Sequence, residues 1–521
     1  MTKAEEISQR VIEQCLSRGV AEFVLCPGSR NSPLLAEAIR HQAKCWGHID
    51  ERAAGFFALG RCRALDGPVA VITTSGTAAF ELFPAMIEAL YQRLPLLVIT
   101  ADRPKRFRGS GAPQAIEQAG MFCVYAVSNE DSADGRIDLE GWDGWGPAHV
   151  NVCLEEPLVG DLAEAAPKSL IPKPWEKRTV FPATRRRKQA APDVVLVGSL
   201  EVSEREIVRK FLQELESPVV AEATSGLRED ESLAPWLLRD GEHSVDNRDV
   251  RSVLRIGGVP SGRFWRNLEN RTEVQVCVVL ANGFRGLARD TLQFDSLDQL
   301  EFQPRPSVVD LKASRKRSAR LEELLREFPR SELALVRALS ESVGAGSQIF
   351  LGNSLPIREW NLAATQQPRG LDCWGNRGAN GIDGNLSSWL GWSAGNSGES
   401  WGLVGDLTAL YDLNSLWVSP QLEKTRRRIA VLNNGGGGIF RRLPGLENAQ
   451  GDLARVLFSE HDLGFEPWAR MWGCGYQLWD GRGEICPDDP GTVICEVRPD
   501  AQETESFWSE WNRLRPETSA S

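Results

Sequence analysis

Short apolar runs alternate with longer helical stretches along the first hundred residues of the chain. The runs Phe23–Cys26, Val69–Thr73 and Leu96–Thr100 each have four or five residues, and the helical stretch Ala53–Leu65 stands between the first two. This alternation is typical of a parallel α/β sheet, because parallel strands need a crossover that is usually a helix. The same pattern returns twice further along the chain. We therefore predict an α/β fold of three α/β domains with parallel sheets.

The length of 521 residues allows about three domains. We place the first domain at residues 1–165, the second at 193–330 and the third at 331–521. The proline-rich and basic stretch 166–192 between the first two is interpreted as a linker. Within it, the run Arg185–Lys188 is expected to be a solvated connector rather than an anion-binding site.

Composition and charge exclude several classes of protein. The net charge of −11 argues against a nucleic-acid partner, since binding to phosphates needs a basic surface. No apolar run approaches the ~18 residues of a membrane-spanning helix, so we expect no membrane span. The 11 cysteines are never spaced as CxxC and the chain has only five histidines, so neither a disulfide framework nor a zinc site is indicated. We expect a cytoplasmic protein in which any metal is bound by oxygen atoms.

The last domain carries the strongest local signal. Gly405 and Asp406 end one apolar strand, and Asn433 and Asn434 end the next. The interval of 28 residues from Asp406 to Asn434 fits two adjacent parallel strands joined by one crossover, so both side chains would emerge at the same edge. Carboxylate and amide oxygens suit an octahedral magnesium ion whose shell a diphosphate completes. The run Gly435–Gly438 would let the backbone approach phosphate. The alternative is two pairs that cap turns.

This Gly-Asp and Asn-Asn pattern resembles the diphosphate-binding motif of thiamine-diphosphate enzymes. The resemblance implies that Gly405 lies in the cofactor site. It also implies that Mg²⁺, with Mn²⁺ as an alternative, is bound by the Asp406 carboxylate, the Asn434 side chain and the Gly436 carbonyl. The commoner motif begins Gly-Asp-Gly, whereas Leu407 stands in the third place here.

A thiamine cofactor also needs a glutamate that exchanges a proton with its pyrimidine ring. Such a carboxyl must be in a dry pocket, because burial raises its pKa and keeps the proton available. Glu51 is the candidate, since it follows the apolar run Cys45–Ile49 and precedes a helical stretch. The alternative is an acid at a helix start that the helix dipole stabilises.

Seven further segments share the order and spacing of one family. They are Pro27–Arg30, Asp50–Arg52, Thr74–Thr77, Ala101–Pro104, Gly111–Ile116, Gly352–Ser354 with Arg358, and Asn376–Gly384. As a set, and with the form Gly-Asp-Leu, they resemble the 2-succinyl-5-enolpyruvyl-6-hydroxy-3-cyclohexene-1-carboxylate synthase family of menaquinone biosynthesis. The resemblance covers both outer domains and implies the thiamine-diphosphate-binding fold.

The same resemblance assigns further site residues. Those implied to bind the cofactor, besides Glu51 and the diphosphate motif, are Thr74, Ile382, Ile439 and Phe440, with Ile382 as the apolar prop that holds the cofactor bent. Those implied to bind substrate are Ser29, Arg30, Arg103, Gln114, Ser354, Arg358 and Arg377. Independently, four loop arginines would suit substrates with several carboxylates. A departure from the family is Phe264, which follows Arg263 where the family often has a second basic residue.

The reaction that the resemblance implies joins two anions. The enzyme would decarboxylate 2-oxoglutarate and add the resulting succinyl carbanion equivalent to isochorismate in a 1,4 sense. The resemblance also implies a homodimer or homotetramer with active sites at the subunit interface, where Glu51 of one subunit serves the cofactor bound through Asp406 of another. The alternatives are another thiamine-diphosphate carboligase or decarboxylase, such as an acetolactate synthase, and a non-catalytic relative.

Overall fold

Four parallel sheets organise the chain. The computed structural model describes residues 1–160, 172–175, 187–246, 249–279, 283–485 and 490–515. Within these residues the sheets have six, five, two and six strands, and every strand pair is parallel. The prediction of an α/β fold with parallel sheets is confirmed. No helix in the described ranges is long and apolar enough to cross a membrane.

The first sheet and its helices occupy the N-terminal part of the chain. They are α1 (Lys3–Ser17), β1 (Glu22–Leu25), α2 (Ser32–Arg40), β2 (Lys44–Gly47), α3 (Glu51–Leu65), β3 (Val69–Thr73), α4 (Thr77–Phe80), α5 (Phe83–Gln92), β4 (Leu96–Asp102), β5 (Ser128–Ser132) and β6 (Ala148–Cys153). The strand order is β2-β1-β3-β4-β6-β5. Strands β3 and β4 are buried at every position, as expected for parallel strands with helices on both faces.

The next two sheets lie in the middle of the chain. Their elements are β7 (Arg187–Ala190), β8 (Val194–Val197), α6 (Val202–Leu215), β9 (Val219–Ala221), β10 (Ser252–Ile256), α7 (Arg263–Asn267), β11 (Gln275–Val279), β12 (Leu292–Phe294) and β13 (Leu300–Gln303). The larger sheet has the order β12-β11-β10-β8-β9, and the smaller consists of β13 and β7.

Strand β7 lies inside the stretch that the sequence predicts as a linker. It pairs in parallel with β13, and the Lys188 ammonium lies 3.7 Å from the Glu301 carboxylate. The basic, polar sequence of this strand has no apolar alternation that could reveal it. Arg187 and Lys188 are nevertheless exposed, as expected for a solvated segment. Arg185 and Arg186 lie outside the described residues.

The last sheet and its helices complete the chain. They are α8 (Leu311–Glu327), α9 (Glu332–Ser342), β14 (Gln348–Leu351), α10 (Leu355–Ala363), β15 (Asp372–Trp374), α11 (Asn385–Ser393), β16 (Ser400–Gly405), α12 (Asp406–Tyr411), β17 (Arg427–Leu432), α13 (Gly451–Phe458), α14 (Glu466–Met471), β18 (Gly475–Trp479), β19 (Thr492–Val497) and α15 (Ala501–Arg513). The strand order is β15-β14-β16-β17-β19-β18.

The first and last sheets have the same topology. When the six strands of each are numbered in chain order, both sheets read 2-1-3-4-6-5. In both, the order of the strands reverses between the first and the third strand. Open α/β sheets bind ligands outside the carboxyl ends of the strands at such a switch point. We therefore expect ligand sites at the carboxyl ends of β1 and β3 in the first sheet and of β14 and β16 in the last sheet.

Two compact units divide the chain. The first unit comprises Met1–Thr179, Gly378–Asn396 and Leu410–Lys424, and the second comprises Val180–Arg377, Ser397–Ala409 and Thr425–Ser521. The second unit thus combines the middle sheets with the last sheet. The boundaries of the three predicted domains stay a prediction.

Within the first unit, helices α3 and α11 pack backbone against backbone. A Cβ atom added to Gly60 would lie 2.0 Å from the carbonyl oxygen of Ser388, and one added to Gly391 would lie 2.0 Å from that of Phe57. The Arg61 guanidinium donates to the Gly391 carbonyl at 3.1 Å. Two glycines and a buried arginine therefore allow the helices to approach this closely.

Nine of the ten cysteines in the described ranges are free thiols. Cys495, on β19, is disulfide-bonded. The expectation that no disulfide framework holds the chain together stays a prediction.

Candidate functional site

The predicted site residues at the start of the chain follow the carboxyl ends of neighbouring strands. Ser29 and Arg30 follow β1, Glu51 follows β2, Thr74 follows β3 and Arg103 follows β4. These strands lie side by side in the order β2-β1-β3-β4. Because all of them are parallel, the five residues stand at one edge of the sheet, on both sides of its switch point.

The loop after β1 rests directly on the loop after β3. A Cβ atom on Gly28 would lie 2.4 Å from the Cβ atom of Thr74 and 2.8 Å from Oδ1 of Asn31. Only glycine fits this position, so Gly28 brings the Pro27–Arg30 segment against Thr74. The local sequence therefore fixes how the two loops of the switch point meet.

Arg30 is held by the chain itself. It is 8% exposed, and its guanidinium donates to the Leu154 carbonyl at 3.2 Å and to the Glu156 carboxylate at 3.0 Å. Glu156 is largely exposed, so this ion pair can open at little cost. An anionic substrate could then compete with Glu156 for the guanidinium, while Leu154 keeps it oriented.

Glu51 begins helix α3 directly after the capping residue. The Asp50 carboxylate accepts a hydrogen bond from the Ala53 backbone N–H at 3.0 Å, so Asp50 caps the helix and Glu51 does not. Partial burial raises the pKa of the Glu51 carboxyl, and the negative charges of Asp50 and Glu81 add to the rise. An acid placed only to stabilise a helix start would have a lowered pKa. The raised pKa favours a group that holds a proton.

A buried glutamine, Gln118, holds the chain just after the predicted segment Gly111–Ile116. The Gln118 side chain is fully buried; its oxygen accepts from the Gly76 N–H at 2.9 Å and its nitrogen donates to the Ala101 carbonyl at 3.1 Å. Gln114 is exposed and has a left-handed φ of +56°. The Arg103 guanidinium donates to the Pro113 carbonyl at 2.9 Å. Gln118 was not predicted from the sequence. Its position four residues after Gln114 is the only feature of the sequence that could have drawn attention to it.

The loop that carries Ile382 is fixed by another buried acid. The Glu88 carboxylate of α5 is 2% exposed and accepts from the backbone N–H groups of Gly378 and Ala379 at 2.7 and 2.6 Å. Ile382 itself is half-buried. Glu88 was not predicted, because its partners are about 290 residues away in the sequence.

In the second unit, Asp406 and the two asparagines emerge side by side. Strands β16 and β17 pair in parallel, with Gly405 opposite Leu432. The Asp406 side chain is buried, and its Oδ2 accepts from the N–H groups of Gly435 and Gly436 at 2.9 Å each. Burial raises the pKa of Asp406 in spite of these hydrogen bonds. One carboxylate therefore holds the glycine run at the edge of the sheet.

The oxygen atoms at this edge fit a hard metal ion. The Oδ1 atom of Asn434 is buried and has no hydrogen-bond partner among the described residues, as a ligand atom without its ion would be. The Gly436 carbonyl accepts from the Gly438 N–H at 2.9 Å and keeps a second lone pair. Carboxylate, amide and carbonyl oxygens together are the donor set that Mg²⁺ or Mn²⁺ prefers. The described residues contain no group of three or more His, Cys, Asp or Glu that could hold a metal.

A cavity of about 650 Å³ lies over the glycine run, lined by Asn434, Gly435–Gly438 and His461 among others. Nδ1 of His461 accepts from the Leu463 N–H at 3.2 Å, and its Nε2 lies 3.5 Å from Oδ2 of Asp406. Gly436 has a φ of +139°, and a Cβ atom on it would lie 2.3 Å from the Phe458 carbonyl. Only glycine therefore fits at position 436, and the backbone there lines the cavity without a side chain.

Two predicted apolar residues follow the glycine run. Ile439 and Phe440 are half-buried, and a Cβ atom on Gly437 would lie 2.9 Å from the Phe440 ring. Ile439 lines a second cavity of the second unit, of about 570 Å³. Residues that follow β17 therefore line both the cavity of about 650 Å³ and the cavity of about 570 Å³.

The predicted substrate residues of the second unit follow β14 and β15. Ser354 has φ +73° and ψ −126°, a strained backbone that non-glycine residues adopt mainly at functional sites. The Arg377 guanidinium donates to Oδ1 of Asn353 at 2.6 Å. Burial lowers the pKa of Arg358 to about 10, and the positive charges of Arg377 and Arg266 contribute. The charges of these three arginines therefore interact as a cationic cluster, which the acids Glu222 and Glu242 partly offset.

Two glutamates that were not predicted are buried in the walls of the two cavities: Glu332 lines the larger one and Glu359 the smaller one. Glu332 is 3% exposed and Glu359 is 1% exposed. Burial raises the pKa of both carboxyls, and the charge of Glu332 adds to the rise at Glu359. Neither oxygen of Glu359 has a hydrogen-bond partner among the described residues. Glu359 is therefore a cost to stability whenever it is forced to ionise.

We expect Glu359→Gln to stabilise the protein in a pH-dependent way. A carboxyl whose folded pKa is raised costs about 1.4 kcal/mol more per pH unit above its unfolded pKa, up to the folded value. The amide does not titrate. The Tm of the variant should therefore match that of the wild type near pH 5 and exceed it by several degrees at pH 8, at ~2–4 °C per kcal/mol.

Thermal melts without metal or cofactor measure this effect. The control is Glu341→Gln on α9, which removes an exposed glutamate. It should leave the Tm unchanged at both pH values. A Glu359→Gln variant whose Tm difference from the wild type does not grow with pH would contradict a raised pKa at Glu359.

Known proteins resemble this chain over almost its whole length. Residues 5–121 match the family model described as the thiamine pyrophosphate enzyme, N-terminal TPP binding domain. The chain is 40% identical to the 2-succinyl-5-enolpyruvyl-6-hydroxy-3-cyclohexene-1-carboxylate synthase of Bdellovibrio bacteriovorus, over 98% of this chain and 99% of that protein. It is 40% identical to the synthase of the same name from Akkermansia muciniphila, over 97% and 98%. For that of Lysinibacillus sphaericus the identity is 30%, over 98% of each chain.

Proposed function

Because the chain belongs to the 2-succinyl-5-enolpyruvyl-6-hydroxy-3-cyclohexene-1-carboxylate synthase family, we propose that it makes this product in menaquinone biosynthesis. The reaction is the decarboxylation of 2-oxoglutarate followed by 1,4-addition of the succinyl unit to isochorismate. The enzyme is a transferase that depends on thiamine diphosphate. The observation that carries the proposal is the identity of 40% over nearly the full length of two synthases.

Glu51 is proposed as the catalytic residue. When bound, thiamine diphosphate supplies a nucleophilic carbon and an electron sink for the decarboxylation. The Glu51 carboxyl would hold the proton that it exchanges with the pyrimidine ring, and burial, which raises its pKa, favours the protonated form that this task uses. Thr74, at the switch point of the first sheet, and Ile382, in the loop held by Glu88, would line the cofactor site.

The residues around β16 and β17 are proposed to hold the diphosphate and its metal. Asp406, Asn434 and the Gly436 carbonyl would bind Mg²⁺, and Mn²⁺ could replace it. Gly405 and the glycine run would let the backbone come close to the phosphate oxygens. Ile439 and Phe440 would cover the apolar part of the cofactor. The free, buried Oδ1 of Asn434 supports this assignment.

The arginines are proposed to orient the two anionic substrates. Arg30, Arg103, Arg358 and Arg377 would pair with carboxylates, since guanidinium groups bind them bidentately. Ser29, Gln114 and Ser354 would add hydrogen bonds. The cationic cluster of Arg266, Arg358 and Arg377 supports this role for the second unit. Fixing both anions brings their reacting carbons together without any protein nucleophile.

We further propose a homodimer or homotetramer in the cytoplasm, with active sites at the subunit interface. C2 dimers and D2 tetramers are the commonest symmetric homo-oligomers, so two or four equivalent sites are expected. Size-exclusion chromatography with light scattering distinguishes the two assemblies. A monomer that turns over both substrates would contradict a site shared between subunits.

An assay with four components tests the proposed function. Purified protein is mixed with thiamine diphosphate, Mg²⁺, 2-oxoglutarate and isochorismate, and the loss of isochorismate is followed while the product mass is measured. We expect product only when all four components are present. If isochorismate is untouched while 2-oxoglutarate or pyruvate is decarboxylated, the enzyme is another thiamine-diphosphate decarboxylase or carboligase. A protein that binds the cofactor and turns over neither acid would be a non-catalytic relative.

A further inference from the structure

We propose that Glu332 is a positioning residue that turns the amide of Asn434 so that its oxygen faces the metal. Glu332 begins α9, far in the sequence from the glycine run, and lines the same cavity as Asn434. The inference rests on the proposed function, because it takes Asn434 as a metal ligand. It assigns a task to a buried acid that neither the motif nor the spacing of the chain indicates.

The contact between the two side chains joins the nitrogen end of the Asn434 amide to the Glu332 carboxyl. The Asn434 amide nitrogen donates to the two carboxylate oxygens of Glu332 at 2.9 and 3.3 Å. An amide nitrogen only donates, and it contacts both oxygens of Glu332, so Glu332 holds the nitrogen end of the amide. The oxygen end, Oδ1, then points away from Glu332 and remains without a partner in the described residues.

In the described residues, only the hydrogen bonds to Glu332 fix the orientation of the Asn434 amide. The two ends of an asparagine amide have nearly the same shape, and rotation by half a turn would present hydrogens to the cation. Partners that orient metal ligands in this way typically contribute 10–100-fold to metal affinity. Glu332 should therefore matter for the metal and much less for the organic part of the cofactor.

Glu332 is itself held in place. Its backbone N–H donates to the Thr504 hydroxyl at 3.0 Å. The Ser331 hydroxyl accepts from the Ala334 N–H at 3.3 Å and caps α9, so the carboxylate projects from a fixed helix start. A side chain on a rigid element positions its partner more accurately than one on a loop.

The experiment measures how much Mg²⁺ the protein needs to bind thiamine diphosphate. Quenching of tryptophan fluorescence is titrated with Mg²⁺ at a fixed cofactor concentration, without substrates. Glu332→Leu keeps much of the volume but cannot accept a hydrogen bond, whereas Glu332→Gln keeps an acceptor oxygen. The matched control is Glu359→Leu, which changes a neighbouring buried glutamate that has no hydrogen bond to Asn434.

We expect Glu332→Leu to raise the half-saturating Mg²⁺ concentration by about 10–100-fold. Glu332→Gln should stay within about threefold of the wild type, and Glu359→Leu should be unchanged. Saturating Mg²⁺ should restore cofactor binding in Glu332→Leu. If that variant does not fold, Glu332→Ala is measured with the same expectations.

Three results would overturn the inference. A Glu332→Leu protein with the Mg²⁺ dependence of the wild type overturns the role of Glu332 alone. Equal losses in Glu332→Leu and Glu359→Leu would show a structural effect of the buried pair instead. Wild-type protein that binds no thiamine diphosphate at any Mg²⁺ concentration would overturn the proposed function and this inference together.

Discussion

Glu51→Gln is expected to bind thiamine diphosphate as the wild type does and to lose exchange of its C2 proton by about 10²–10⁴-fold. Glutamine has the shape of glutamate but cannot hold or release the proton. The partly buried carboxyl has a raised pKa, which is the property that this exchange requires. Exchange is measured as deuterium uptake at C2 by NMR after an acid quench.

The matched control for Glu51→Gln is Asp50→Asn. Asparagine also caps helices, so its side chain can still accept the hydrogen bond from Ala53 while the neighbouring charge is removed. This variant should keep exchange within about tenfold. Normal exchange in Glu51→Gln would remove the catalytic assignment, and weak cofactor binding in that variant would assign Glu51 to binding instead.

Asp406→Ala is expected to lose cofactor binding that depends on Mg²⁺, by about 100-fold or more. The substitution removes one proposed metal ligand. It also removes the acceptor of two backbone hydrogen bonds, from Gly435 and Gly436, so the glycine run loses its anchor. Isothermal titration of thiamine diphosphate in the presence and absence of Mg²⁺ measures the loss.

Asp462→Ala serves as the control for this second variant. Asp462 lines the same cavity but is exposed, so its removal should change the affinity by less than about threefold. If Asp406→Ala bound cofactor as tightly as the wild type, the diphosphate site would have to lie elsewhere.

The sequence was most informative where buried strands are apolar and short. The run predicted at Val69–Thr73 is the strand β3, and the runs at Phe23–Cys26 and Leu96–Thr100 overlap the strands β1 and β4. The interval between Asp406 and Asn434 also predicted that the two residues follow neighbouring parallel strands, because those strands are joined by a single crossover; they follow β16 and β17. The prediction of site residues in that part rests on spacing and can be made from one chain.

Other features depend on contacts between distant parts of the chain. Strand β7 has a polar sequence and exists because it pairs with β13. Glu332 meets Asn434 across 102 residues, and Glu88 meets Gly378 across 290. No local pattern of charge or hydrophobicity encodes such partners, so buried acids that hold loops were missed while the loops themselves were found.

The close packing of α3 against α11 has a consequence for how the protein is made. Arg61 and Gly391 are 330 residues apart, so a ribosome that adds 5–20 residues per second needs on the order of 15–70 s to synthesise the second helix after the first. Until then the face of α3 that carries Gly60 and Arg61 lacks its partner helix. A growing chain in this interval should be a client of chaperones, and a fragment that stops before α11 should aggregate when it is expressed alone.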